Sequence, residues 1–359
     1  TGTILSGLTL GDLKTYGNVT VASNALVNAN NGTLNFPINI SIGGLYGPGA
    51  TNLTAHNVAF SMANLATQNN GATPSPISVR VGAAVPGYST AVAPSQTATS
   101  VLNITGALAT GNADITLGAG DGINITGSIN TNGGNLYLAN LNSGNLTDTA
   151  TIDLGSGTLN YYGVGTGNSL SGVISGAGNL HLLSNNDTLL TTPYGNSLSA
   201  NGVLTISAAN TYTGTTTISQ GTLIASHANA LGSNNAAGTT VSGTGSTLLL
   251  NNILLDSGKT GTNAAVTLNT NGTLQTIGHA GLNGKLNVTE TTTITTLGPT
   301  AGATPGTGSG TCAGLGAAGT CQLTLSGIDI ADGQTLTVGD SVTASTLLNL
   351  QGTGTISHT

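Results

Sequence analysis

Apolar residues along this chain come in short bursts with a period of two. A run of a few residues alternates aliphatic and polar side chains, stops at Gly, Asn or Asp, and starts again. Such runs occur at Asp114–Leu117, Ile123–Ile125, Asn135–Leu138, Thr151–Leu154, Thr158–Tyr161, Val203–Ile206, Thr216–Ser219, Thr247–Leu250, Ala265–Leu268, Thr273–Thr276, Gln322–Leu325 and Thr335–Val338. Alternation bounded by turn residues predicts strands. Glycine recurs every few residues, and each one inside a helix would cost about 1 kcal/mol, so helices are not expected.

Strands this short and this evenly spaced suit either an array of sandwiches or a β-solenoid. Composition separates the two. Aromatic residues make up 3 % of the chain, and Trp is absent. A single large core would hold more aromatic bulk, whereas narrow stacked layers are filled by Val, Ile and Leu. Thr favours strands and Gly and Asn favour tight turns. The pattern therefore predicts an all-β parallel solenoid with about 20 residues per coil and coils about 4.8 Å apart.

Proline divides the chain unevenly. Six of the nine prolines fall between Pro37 and Pro94. Proline cannot donate to a ladder and marks edges and excursions. Residues 1–100 are expected to form a less regular N-terminal β region with Pro-rich excursions. Residues 101–298 are expected to form the regular solenoid, with a loop insertion near 184–200. Residues 299–322 read as a Gly/Ala-rich loop containing both cysteines, and 323–359 return to β coils.

Charge narrows the chemistry. The chain has 4 basic and 11 acidic residues, a net charge of −7 and 4 % charged positions, against about 25 % in ordinary domains. Mean hydropathy is +0.19, too apolar for a solvated disordered chain. Lys14, Arg80, Lys259 and Lys285 form no basic run, so nucleic-acid binding, which needs clustered cations, is not expected. No apolar run of about 18 residues suggests a membrane helix.

Cys312 and Cys321 are separated by eight residues in a Gly/Ala-rich stretch. In an exported, hydroxyl-rich chain they are expected to pair as a disulfide, contributing about 2.5–3 kcal/mol by loop-closure entropy. Asp114, Asp121 and Asp153 are the best acidic constellation if they lie on neighbouring coils; otherwise Asp121-Gly122 is a turn and the others are exterior strand residues. Leu117–Ile125 carries one incomplete copy of a glycine-rich calcium repeat, where stacked copies would be needed. The histidines His56, His181, His227, His279 and His358 lack metal-ligand spacing. No catalytic residue, cofactor site or metal site is assigned, and no enzymatic activity is expected.

Two stretches carry a longer pattern. Ser171–Leu182 reads SGVISGAGNLHL, and Asn201–Ser233 reads NGVLTISAANTYTGTTTISQGTLIASHANALGS. Together they resemble the autotransporter-associated β-strand repeat of bacterial autotransporter passenger domains. Asp114–Asn140 more loosely resembles filamentous-haemagglutinin-type adhesins. Both resemblances imply a right-handed parallel β-helix, secreted and displayed on the bacterial surface. Within the repeat, Asn210 and Gly214 suit corners and Tyr212 would pack across a coil end. Ile218 and Leu223 would point inward from successive strands, with Gly221 between them. Ser184–Ala200, with Pro193 inside it, departs from the family spacing.

These readings lead to an extracellular structural protein, a β-helical stalk or fibre subunit that assembles end to end with copies of itself. The alternatives are a monomeric passenger adhesin binding glycan or host surfaces and, more remotely, a polysaccharide-active β-helix enzyme.

Overall fold

The computed structural model describes residues 101–119, 121–140, 144–182, 202–232, 237–256, 265–297 and 321–340, together with individual strands between Gly2 and Val81 and at Thr346–Leu350 and Ile356–His358. No helix occurs among the described residues. The fold is an all-β, parallel β-solenoid. Each of the runs named above overlaps a strand. The chain divides into two compact units, one of Thr1–Gly178 with Asn185–Ala200 and one of Asn179–Ser184 with Asn201–Thr359.

In the first unit the regular coils have three sides. The first side carries Val101–Ile104, Gly122–Ile125, Leu146–Asp148 and Asn168–Leu170. The second carries the short strands Leu108–Ala109, Ile129–Asn130, Ile152–Asp153 and Ile174–Ser175. The third carries Ile115–Ala119, Leu136–Asn140 and Thr158–Gly163. Every pairing between coils is parallel. The repeat length is read from the register: 21 residues separate Val101 from its partner Gly122, 23 separate Ile123 from Leu146, and 22 separate Thr147 from Ser169.

Alternation along each strand sends one set of side chains inward, and the parallel register stacks them. Leu102, Ile123 and Leu146 form one fully buried column, and Leu108, Ile129, Ile152 and Ile174 another. On the outside, the same register builds a polar ladder. The Asn124 amide donates to Asn103 Oδ1 at 2.8 Å, and Thr147 Oγ1 donates to Asn124 Oδ1 at 2.7 Å.

Turn chemistry sets the corners. Asn132 and Gly133 take positive φ of 50° and 108° between the second and third sides. The next positions stack so closely that side chains do not fit. A methyl on Gly134 would meet the carbonyl of Ala113, and one on Gly157 would meet the carbonyl of Gly134. Buried hydroxyls satisfy the corner carbonyls: Thr110 Oγ1 donates to Ala113 O at 2.7 Å, and Thr131 Oγ1 to Leu154 O at 3.0 Å.

The second unit keeps two long sides. One carries Val203–Ile206, Thr222–Ala225, Thr247–Asn251, Thr273–Ile277, Thr292–Leu297 and Leu336–Asp340. The other carries Asn179–Leu182, Thr215–Ile218, Gly238–Ser242, Val266–Asn269, His279–Val288, Cys321–Ile330 and Thr346–Leu350. The two ten-residue strands His279–Val288 and Cys321–Ile330 pair with a register shift between Leu282 and Lys285, and His279–Val288 also pairs both Leu254–Leu255 and Val266–Asn269. The ladder also skips chain. Leu180 pairs Thr216, 36 residues on, and Thr292 pairs Leu336, 44 residues on, against 19 from Val203 to Thr222. The intervening residues 183–201 and 298–320 lie outside the described residues.

Candidate functional site

The repeat segment is built around a buried corner. Asn210 follows the strand Val203–Ile206 and is 2 % exposed. Its amide donates to Ala230 O at 2.7 Å, and its main-chain N–H reaches Asn229 O at 3.1 Å. One asparagine thus ties its turn to the corresponding turn of the next coil. Tyr212 is fully buried and shares a 2.6 Å hydrogen bond with the hydroxyl of Thr216, which also points inward. Burial pushes the Tyr212 phenol well above the usual tyrosine range; the Thr216 hydrogen bond opposes this in part.

Gly214 precedes Thr215–Ile218 at a partly exposed bend. Ile218 and Leu223 are fully buried on consecutive strands, and Gly221 turns the chain between them with φ of 76°. Leu223 stacks between Leu204 and Leu248, and Ile218 between Leu182 and Val241. Cys312 lies outside the described residues. Cys321 is described only as the first residue of its strand, so their pairing is not addressed by the structure.

The acidic trio does not converge. Asp121 precedes a first-side strand, Asp153 lies on a second-side strand, and Asp114 precedes a third-side strand. Two of them hold backbone: Asp114 Oδ1 accepts the main-chain N–H of Asn135 at 2.8 Å, and Asp153 Oδ1 accepts the main-chain N–H of Gly155 at 3.0 Å. No group of three or more His, Cys, Asp or Glu side chains able to hold a metal occurs among the described residues. His181 Nε2 lies 2.8 Å from Ser219 Oγ. The Ser219 main-chain N–H donates to Leu182 O at 3.1 Å. Lys285 Nζ meets Asp329 Oδ2 at 2.7 Å, with the two side chains 51 % and 23 % exposed, an exposed pair of small energetic weight.

Sequence reasoning missed one residue. Asp148 is 0 % exposed and stands in an inward position. Its signal was parity: it follows the buried Leu146 by two residues in the same strand. Burial pushes its carboxyl up to about 6, against the pull of the Ala150 and Gly172 amides.

Residues 201–225 match the model of the passenger-associated transport repeat. No curated protein and no solved structure matches the chain. The matched segment includes the buried corner at Asn210 and Tyr212 and the strands around it. The repeat and the parallel solenoid together fit a secreted autotransporter passenger domain.

Proposed function

We propose that this passenger-type solenoid is a structural protein of the bacterial exterior: a stalk or fibre subunit that assembles with copies of itself. The supporting observation is the transport repeat seated within a parallel ladder of the second unit, together with the exterior polar column Asn103–Asn124–Thr147 that the first unit builds on its own coils. Such a surface works through hydroxyls, amides and backbone. A coil left terminal offers unpaired N–H and C=O groups, which most proteins blunt with charge. Here only 4 % of positions are charged. Head-to-tail stacking does not close and therefore makes filaments. The Cys312–Cys321 bridge belongs to the same proposal, as a covalent tie suited to an oxidising exterior.

Electron microscopy and sedimentation of the purified chain test the reading. Filaments with a regular axial rise support it. Dispersed particles at high concentration sink self-assembly, and glycan-array or cell binding by those particles establishes the adhesin instead. Cleavage of a polysaccharide overturns the non-enzymatic reading. Recovery of Cys312 and Cys321 as separate alkylated peptides without reduction removes the bridge.

A further inference from the structure

One inward column of the first unit breaks its own rule. The register stacks Ile104, Ile125, Asp148 and Leu170 directly over one another. A carboxyl occupies the place where the coils on either side put an aliphatic side chain, and all four residues are at most 1 % exposed. Oδ1 accepts the main-chain N–H of Ala150 at 3.2 Å and the Gly172 N–H also draws on the carboxyl, while no hydrogen bond of normal geometry among the described residues reaches Oδ2. A buried acceptor left unsatisfied is costly, and more so when ionised.

The surroundings hold no compensating charge. Gly122–Ile125 below and Asn168–Leu170 above carry no titratable side chain. Asp121, just before the lower strand, is partly exposed. On the same coil Asp153 is exposed and Tyr161 and Tyr162 are buried, and Tyr137 on the neighbouring third-side strand is partly exposed. Ile115–Ala119 adds none, and none of the four basic residues falls between 101 and 178.

We propose that Asp148 is an acid-responsive joint: coil 144–163 packs more tightly with this carboxyl neutral than with it ionised, so mild acid clamps this part of the solenoid. The direction follows from linkage. Burial raises the carboxyl from 3.8 to about 6 in the fold, so between these values the native state holds a proton that an opened coil has released. Stability from this group is full at the acid end and falls as pH rises through that window.

Hydrogen exchange on the full chain tests this, read at the amides of Thr149, Ala150 and Ser171 and corrected for intrinsic rates. Protection is expected to rise about tenfold between pH 7.5 and pH 5. Asp148→Asn should abolish the pH dependence, and Asp148→Leu should hold the coil at or above the acid level throughout. A direct carboxyl titration by NMR keeps the test decisive if a variant misfolds, with a midpoint near 6 expected. A midpoint near 4, pH-independent protection, or an unchanged pH profile in Asp148→Asn overturns the proposal.

Discussion

Tyr212 shows how much one side chain carries in so aliphatic an interior. Its ring is fully buried, and its hydroxyl is the partner of an equally buried threonine hydroxyl. Tyr212→Phe keeps the volume and strands the Thr216 hydroxyl, so it should cost about 1 kcal/mol. Tyr212→Ala opens a cavity and should cost about 3–5 kcal/mol. Denaturant titration separates the two; equal losses would mean that the hydrogen bond, not the ring, does all the stabilising. Many aliphatic inward positions were legible in the sequence because they recur with a period of two between turn residues, as in Val101–Ile104 and Asn179–Leu182. Asp148 was not, since a carboxylate among Thr and Asn reads as outward by chemistry, and only its parity with Leu146 says otherwise.

At the level of elements, the coil is a set of short strands hinged on corners where backbone rides on backbone. Gly157 lies over Gly134, and a Cβ there would run into the carbonyl below. Gly157→Ala should therefore destabilise the first unit by about 1–3 kcal/mol through overpacking, measured as a lowered midpoint in thermal unfolding. Gly245, where a Cβ meets nothing within 4 Å but φ is +80°, is the comparison: its Ala variant isolates backbone strain from collision. Strand positions were readable from turn residues and period-two runs. Which side of a coil each strand occupies was not, because that depends on corner lengths that differ from coil to coil. Asp114, Asp121 and Asp153 illustrate this: the sequence left open whether they meet on neighbouring coils, and they sit on or before strands of three different sides.

At the scale of the whole molecule, scarcity of charge decides which conditions matter. Lys285 and Asp329 make an exposed contact that salt should screen with little consequence, whereas one buried carboxyl gives mild acid a specific point of action. The strand-to-strand bonds have a mechanical consequence of their own. They join coil to coil, so tension applied through the two termini loads them a rung at a time and peels the structure rather than shearing it. In an optical trap, each released coil of 21–23 residues should lengthen the tether by about 75 Å. Where the ladder leaps the 44 residues from Thr292 to Leu336, a step of about 150 Å is expected. A single all-or-none rupture would show that the coils do not yield independently. A sawtooth would mark this chain as an extensible tether that gives way in small instalments under load.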